Sequence, residues 1–220
     1  MSDLLVFTSE YSIPPTDAGM LRESCTANGI VLQSFGLGQN WPGYGARLRD
    51  SGRFLAGQSS RYALFVDSAD TLILEREEEI LNRFRSLDCP FLFSAERNCW
   101  PDPALSHYFS GELPFRFLNA GAWMGHTKWI AERWERIWSQ YLPVYPQDDT
   151  RMLVQAWIDG MLSGAKIDSG CRIFWSAAGG GLDDLSVDRR TLLEKGTRPA
   201  VAHFNGRTAG REEMWRGRIV

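Results

Sequence analysis

Short runs of apolar residues alternate along the chain with segments in which apolar residues recur at helical spacing. A short apolar run bounded by turn residues predicts a buried strand, and the wider spacing predicts an amphipathic helix. This alternation is typical of an α/β fold whose central sheet is mostly parallel and flanked by helices. The predicted strands cover residues 4–8, 30–35, 62–66, 90–94, 117–124, 171–175 and 199–204, and the predicted helices cover residues 16–28, 46–58, 75–85, 127–141 and 148–162.

Composition and charge narrow the class of protein. The chain has 220 residues, which is enough for a single domain with a buried core. It carries 24 Lys+Arg against 27 Asp+Glu, so we expect no broad basic surface for nucleic acid. No apolar run has the length of a membrane span, and no signal peptide is recognisable, so we expect no membrane partner and a cytoplasmic location. The 4 cysteines form no CxxC pair and are expected to be free thiols.

Two carboxylates directly follow a buried strand. The strand predicted at residues 62–66 runs into Asp67 and Asp70. In open α/β sheets, ligands bind at the carboxyl ends of the strands. Paired carboxylates at that place suit a hard divalent cation, which in turn suits a diphosphate. A second interpretation stays open, in which Asp67 caps the following turn and Asp70 is simply solvated.

A histidine follows one of the last predicted strands. His203 is followed by Asn205, Gly206 and Arg207. A neutral imidazole completes the ligand set of Mn²⁺ better than that of Mg²⁺. Gly206 allows the backbone to approach a phosphate closely, and Arg207 is placed to neutralise it. Taken alone, His203 also fits a core histidine whose two nitrogens are satisfied within the fold.

Two further aspartates begin a predicted helix. Asp148 and Asp149 stand at the start of the helix over residues 148–162, where an aspartate ordinarily caps the helix and complements its dipole. In the functional interpretation, one of them stabilises developing positive charge or orients an acceptor hydroxyl. A weaker candidate is Asn119, an amide on a strand where a substrate can lie close to the backbone. The chain has neither a Rossmann fingerprint nor a P-loop.

Six short motifs occur in a fixed order: GLGQNW at 36–41, FVDSAD at 65–70, FSAERNCWPD at 93–102, RFLNAG at 116–121, DD at 148–149 and HFNG at 203–206. Together they resemble the glycosyltransferase domain of the procollagen lysyl hydroxylases. The resemblance covers nearly the whole chain, and its specificity comes from the order of the motifs. It implies a GT-A fold and the transfer of glucose from UDP-glucose, which that family moves to galactosyl-hydroxylysine.

The resemblance implies a metal site and a donor site. At the matching positions, Asp67, Asp70 and His203 would hold Mn²⁺, with Mg²⁺ as the alternative, and the cation would bridge the diphosphate of a UDP-sugar. Residues 1–70 would form the nucleotide-binding half of a single domain. The residues implied to bind the donor nucleotide are Thr8, Trp41, Arg53, Asp67, Asn205, Gly206 and Arg207.

Residues from about 90 to 206 would form the half of the domain that binds the donor sugar and the acceptor. Asn119, Asp148 and Asp149 match catalytic positions, and Trp100, Asn119 and Asp148 match the substrate side. The family domain retains the anomeric configuration. Front-face attack within an ion pair is therefore implied, with the leaving phosphate taking the acceptor proton. Residues 207–220 are rich in arginine and are expected to form a basic tail or lid.

Two departures from the family pattern affect the donor side. Ala69 stands where the family commonly has a tyrosine, so that contact with the nucleoside is lost or comes from elsewhere. The family's lysine after the tryptophan loop has no lysine counterpart. Arg47, Arg49 and Arg53 are the available replacements, and the residues do not decide among them.

The sequence leaves open which acceptor is used and whether the domain is catalytic. A protein or glycan hydroxyl is one acceptor class. A hydroxymethylated pyrimidine of phage DNA is another, since a bacterial or viral cytosolic enzyme fits the chain and its C-terminal arginines would meet phosphates. A non-catalytic sugar-nucleotide-binding domain is a different kind of protein, although Asp148 and Asp149 disfavour it. A structural domain that shares only the fold would bind neither UDP nor Mn²⁺.

Overall fold

The structure is a computed structural model that describes residues 2–12, 17–111, 114–206 and 208–219. Strands and helices alternate along most of this part of the chain. The strands are β1 (Leu4–Ser9), β2 (Leu32–Phe35), β3 (Tyr62–Val66), β4 (Thr71–Ile73), β5 (Phe91–Glu96), β6 (Phe117–His126), β7 (Lys166–Ile167), β8 (Phe174–Ser176) and β9 (Val201–His203). The α-helices are α1 (Gly19–Ala27), α2 (Tyr44–Ala56), α3 (Glu77–Ser86), α4 (Thr127–Tyr141), α5 (Asp149–Ile158) and α6 (Arg211–Ile219).

The larger sheet has six strands in the order β2-β1-β3-β6-β5-β7. β6 runs antiparallel to both of its neighbours, β3 and β5, and the other pairs are parallel. The predicted α/β architecture with a mostly parallel sheet is therefore confirmed. Because β3 and β5 both oppose β6, their carboxyl ends lie at the same edge of the sheet.

Helices cover both faces of this sheet. Phe7 and Phe65 point toward a core formed with α2, α4 and α5. Val6 and Leu64, one position earlier on the same strands, point toward a second core formed with α1 and α3. Because both faces are buried, the strands are continuous apolar runs, which is the pattern that made them recognisable.

A smaller sheet joins β4, β9 and β8, in that order. β4 has only three residues and was not predicted. It pairs antiparallel with β9, in a register that places Thr71 opposite His203. This pairing brings the end of β9 next to the segment that follows β3.

The C-terminal segment packs onto the smaller sheet as a helix. Met214 and Trp215 of α6 are buried in a third core that also contains Trp175 and Phe204. The indole N–H of Trp215 donates to Glu23 at 3.1 Å. Within the expected tail, Arg211–Ile219 therefore form a helix. None of the helices within the described residues has the length and apolar character needed to cross a membrane.

Candidate metal centre and active site

Asp67 and Asp70 lie where β3 leaves the larger sheet. The Asp67 N–H donates to the Gly121 carbonyl of β6 at 2.8 Å, so the chain is still held by the sheet at this residue. Asp70 directly precedes β4, and its carbonyl accepts from the Phe204 N–H at 2.8 Å. Backbone hydrogen bonds to two sheets therefore fix the position of both carboxylates.

His203 reaches the aspartates through strand pairing. It ends β9 opposite Thr71, the residue after Asp70. His203 Nε2 lies 3.3 Å from Asp70 Oδ1 and 3.6 Å from Asp67 Oδ2. One ligand atom from each of these residues lies within 4.8 Å of the others, a spacing that one cation can span. The structure thus brings together all of the predicted metal ligands.

Several polar atoms in this cluster lack a hydrogen-bond partner. Among the described residues, none makes a hydrogen bond of good geometry with Asp70 Oδ1 or with either ring nitrogen of His203. Buried polar atoms are normally paired, so this cluster has the character of a ligand site. Burial alone would lower the pKa of His203, but the carboxylates of Asp70 and Asp67 raise it to about 8. The site therefore favours positive charge.

The backbone of β6 leaves just enough room for the cluster. A Cβ at Gly121 would lie 2.3 Å from His203 Cε1 and 2.5 Å from Asp67 Oδ2, both far inside van der Waals contact. Any residue larger than glycine would therefore displace the imidazole or the carboxylate. Asn119 accepts from the Gly121 N–H at 2.9 Å and fixes this part of the strand.

Arg47 connects the cluster to the start of α5. Its guanidinium donates to Asp67 Oδ1 through Nη1 at 2.5 Å and to Asp149 Oδ2 through Nη2 at 2.5 Å. All three side chains are at least three-quarters buried. Among the arginines that could replace the family's lysine, Arg47 is therefore the one that lies beside the carboxylates.

A cleft of about 300 Å³ opens beside the carboxylates. The rings of Trp41 and Tyr44 form an aromatic wall, with their centroids 5.0 Å apart. In the part of the chain that the structure describes, a larger cleft of about 540 Å³ lies between α1 and α6, and the metal cluster does not line it. The smaller cleft is lined by Ser9, Trp41, Tyr44, Arg47, Asp67, Ser68, Ala69 and Asp70.

Glu96, the last residue of β5, connects two predicted site residues. The amide groups of Asn119 and Asn205 donate to separate oxygens of its carboxylate, each at 3.2 Å. The amide oxygens point away, since Asn119 accepts from Gly121 and Asn205 accepts from the Ser176 hydroxyl at 2.7 Å. Burial raises the pKa of Glu96 to about 7, although the two amides oppose that shift. Glu96 thus orients side chains that come from different sheets.

A family model described as the PLOD GT domain matches residues 4–211. The chain belongs to this family of glycosyltransferase domains. The resemblance drawn from the six motifs is therefore confirmed over nearly the whole chain.

Relatives of the PLOD GT domain share about a third of their residues with this chain over the matched region. Rat multifunctional procollagen lysine hydroxylase and glycosyltransferase LH3 is 32% identical over 199 residues, 81% of this chain and 26% of its own length. Drosophila melanogaster procollagen-lysine,2-oxoglutarate 5-dioxygenase is 29% identical over 230 residues, 91% of this chain and 30% of its own length. R699 of Acanthamoeba polyphaga mimivirus is 31% identical over 144 residues, 59% of this chain and 31% of its own length. The chain thus spans between a quarter and a third of these relatives.

Comparison with solved structures shows which fold this chain has. A glycosyltransferase involved in glycosylation of the major capsid of PBCV-1 aligns with a TM-score of 0.57 and 12% identity over 99% of both chains. The galactosyltransferase LgtC aligns with a TM-score of 0.54 and 12% identity over 97% of this chain and 94% of its own. The expected GT-A fold is therefore confirmed, and the chain is a glycosyltransferase of the GT-A type.

Two residues predicted to bind the donor nucleotide in this domain face elsewhere. Thr8 is completely buried, and its hydroxyl donates to the Val66 carbonyl at 2.6 Å, so the adjacent Ser9 lines the cleft in its place. Arg53 projects from a different face of α2, where its guanidinium carbon lies 5.6 Å from the centroid of the Trp138 ring. Neither side chain lines the cleft, and the role of both in binding the donor nucleotide stays a prediction.

The residues predicted for the reaction centre occupy distinct positions. Asp148 caps α5, because its side chain accepts from the Arg151 N–H at 2.8 Å, and burial raises its pKa. Asp149 is buried against Arg47, as described above. Trp100 is 62% exposed and does not line the cleft, but its loop is tied to α5 by an ion pair of Asp102 and Arg151 at 3.3 Å.

After β9 the chain continues through Asn205 to Gly206, which is exposed. The φ of Gly206 is +67°, a backbone angle that glycine adopts without strain. Arg207 lies outside the described residues.

Sequence reasoning assigned no role to Glu96. The rule that pointed to Asp67, a carboxylate at the carboxyl end of a buried strand, applies equally to Glu96.

Proposed function

We propose that this domain transfers a hexose from a UDP-sugar to an acceptor hydroxyl with the help of a divalent cation held by Asp67, Asp70 and His203. The observation that carries the proposal is the convergence of these side chains on one point, against a glycine that leaves them room. Among the described residues, neither ring nitrogen of the buried His203 takes part in a hydrogen bond of good geometry, which supports a cation at that point.

The donor set supports Mn²⁺ as the cation, with Mg²⁺ as the alternative. Two carboxylates and an imidazole form a mixed set of oxygen and nitrogen ligands, whereas Mg²⁺ prefers oxygen ligands alone. When bound, the cation would act as a Lewis acid on the diphosphate leaving group.

The protein's own groups would position the donor around that cation. Trp41 lines the cleft with an aromatic face suited to a nucleobase, and Ser9 offers a hydroxyl at the position assigned to Thr8. Asn205 is held by Ser176 and Glu96 at the start of the loop in which Gly206 and Arg207 would approach the diphosphate.

Asn119, Asp148 and Asp149 would surround the donor sugar. A carboxylate beside the anomeric carbon stabilises the positive charge that develops when the bond to phosphate breaks. UDP-glucose is the first donor to test, because the family resemblance implies glucose. Transfer with retention, in which the leaving phosphate takes the acceptor proton, is part of this proposal and is tested by the anomeric configuration of the product.

The acceptor is proposed as a hydroxyl on a protein or glycan, next to Trp100. The alternative acceptor, a hydroxymethylated pyrimidine in DNA, was suggested by the C-terminal arginines. Arg216 pairs with Glu212 at 3.3 Å within α6, an internal partner for one of these arginines. Incubation with UDP-glucose and hydroxymethylated DNA, followed by nucleoside mass spectrometry, separates the two acceptor classes.

The experiment that tests the proposal measures release of UDP from a panel of UDP-sugars, with Mn²⁺, with Mg²⁺ and with a chelator. We expect release with at least one UDP-sugar, dependence on the cation, and loss of release in Asp70→Asn and His203→Ala. His107→Ala, an exposed histidine, is the matched control and keeps the wild-type rate. Binding of UDP without release from any UDP-sugar would indicate a non-catalytic binding domain, and release that is independent of the cation would contradict the metal assignment.

A further inference from the structure

Arg47 is buried at the boundary between the candidate metal site and the start of α5. Its side chain is 8% exposed, and its guanidinium carbon lies 5.1 Å from the centroid of the Tyr44 ring and 5.4 Å from that of Phe65. A guanidinium stays protonated in proteins, so at this depth it needs carboxylate partners. Arg47 has two such partners, and they belong to different parts of the site.

One guanidinium holds the two carboxylates through different nitrogens. Nη1 donates to Asp67 Oδ1 at 2.5 Å, while Nη2 and Nε both donate to Asp149 Oδ2, at 2.5 and 3.2 Å. Asp67 Oδ2 remains on the side of His203 Nε2, 3.6 Å away. Arg47 therefore binds one oxygen of Asp67, and the other oxygen faces the metal cluster. The hydrogen bond to Oδ1 fixes the direction in which Oδ2 points.

The packing of α2 makes this bridge possible. A Cβ at Gly45 would lie 2.7 Å from the Pro146 carbonyl oxygen and 2.8 Å from that of Tyr145. Glycine therefore allows the first turn of α2 to touch the segment that leads into α5. That contact puts Arg47, two residues after Gly45, within reach of Asp149.

We propose that Arg47 is a positioning residue that couples the metal site to the reaction centre. By holding Asp67 Oδ1 it leaves Oδ2 as the metal ligand, and by holding Asp149 Oδ2 it fixes the carboxylate at the start of α5. The inference rests on the proposed function, since it takes Asp67 as a metal ligand. It adds that Asp149, which is not a metal ligand, influences the affinity of the metal through Arg47.

The first experiment measures the affinity for Mn²⁺ without donor, from the free Mn²⁺ signal in electron paramagnetic resonance. Groups that hold a metal ligand in place are typically worth about 10- to 100-fold in metal affinity, and we expect a loss of that size in Arg47→Met. Arg47→Lys keeps the positive charge but lacks the separate guanidinium nitrogens that hold the two carboxylates. We therefore expect its Mn²⁺ affinity to fall between those of Arg47→Met and the wild type. Arg136→Met, an exposed arginine on α4, is the matched control and binds Mn²⁺ like the wild type.

A double-mutant cycle separates coupling from a merely structural effect. Asp149→Asn weakens Mn²⁺ binding in the wild-type background, because Arg47 is then no longer held from the side of α5 and turns toward Oδ2 of Asp67, the oxygen proposed to bind the cation. In the Arg47→Met background the same change has no effect on Mn²⁺ binding, since the connection is already gone. Circular dichroism checks the fold of each variant. If Arg47→Met does not fold, Arg47→Lys takes its place in the cycle, and a reduced effect of Asp149→Asn in that background is the expected result.

Two outcomes would overturn the inference. One is equal Mn²⁺ affinity of the wild type and the folded Arg47 variants. The other is an effect of Asp149→Asn that is the same in both backgrounds. Both presuppose a wild type that binds Mn²⁺. A wild type that neither binds Mn²⁺ nor releases UDP from UDP-sugars refutes the proposed function itself, so the two failures are distinguishable.

Discussion

The backbone of Gly121 lies directly against the imidazole of His203, with no room for a Cβ between them. Gly121→Ala is therefore expected to displace the imidazole or Asp67 and to lower Mn²⁺ affinity about 10- to 100-fold. Gly125→Ala is the control. It also adds a methyl group to β6, but its Cβ would meet Phe91 at 2.6 Å, away from the cluster. Calorimetric titration of both variants checks the prediction. Equal Mn²⁺ affinity in the two variants would contradict it.

Mn²⁺ is expected to stabilise the folded protein, since its ligands converge only in the native state. At about 100 times its dissociation constant, a bound ion raises the free energy of unfolding by about 2.7 kcal/mol. We expect this increase in the wild type and in His107→Ala, its disappearance on addition of a chelator, and no increase in His203→Ala. Urea unfolding with and without Mn²⁺ provides the measurement. A His203→Ala protein that gains as much stability as the wild type would show that the ion binds elsewhere.

Glu96 is expected to make the stability depend on pH. Burial raises its pKa from 4.5 in the unfolded chain to about 7 in the folded protein, so the folded state binds the proton more tightly. Its contribution is fully present below pH 4.5 and is lost as the pH rises through about 7. The size is about 3 kcal/mol, from 1.36 kcal/mol per pKa unit.

Urea unfolding of the metal-free protein between pH 5 and pH 8 checks the contribution of Glu96, with pH values chosen about one unit apart around the shifted pKa. Glu96→Gln does not titrate, so its free energy of unfolding falls less steeply with rising pH than that of the wild type. His203 keeps most of its own contribution in both proteins, because the carboxylates of Asp70 and Asp67 outweigh the lowering effect of burial and raise its pKa to about 8. Parallel pH profiles of the two proteins would mean that Glu96 titrates normally.

Asp168 is expected to be a stability residue rather than a catalytic one. Its buried carboxylate accepts from the backbone N–H groups of Arg172, Ile173 and Phe174, at 3.0, 2.7 and 2.8 Å. Asp168→Ala leaves these donors unpaired and should lower the free energy of unfolding by about 3 kcal/mol. Asp183→Ala, at an exposed aspartate, should change it by less than about 0.5 kcal/mol. Denaturant midpoints of the two variants decide, and equal midpoints would contradict the assignment.

The hydrophobic pattern predicted the larger elements well. The strand at Tyr62–Val66 and the helix at Thr127–Tyr141 begin and end where they were predicted. A strand buried on both faces and a long helix with one apolar face have patterns that neighbouring residues alone produce. The predicted strand at residues 171–175 begins instead at Phe174, because Asp168 accepts hydrogen bonds from the N–H groups of Arg172 and Ile173, the two residues just before it.

Site residues that belong to a sequence motif could be predicted. Those whose place in the site depends on a contact between distant segments could not. Asp67, Asp70 and His203 were named from the order of motifs. Arg47 was one of three candidate arginines, and its selection depends on how α2 packs against the segment before α5. Arg53 belongs to the same helix but faces Trp138.

The amino-acid sequence by itself determined most of the strands and helices, the family and the candidate metal ligands, because each is encoded in local periodicity or in short ordered motifs. The tertiary structure alone decided that β4 pairs with β9, that Gly121 makes room for His203, and that Arg47 joins Asp67 to Asp149. These contacts connect residues far apart in the chain. Their geometry is set by the packing of the two sheets and of α2 against α5, which no local pattern specifies.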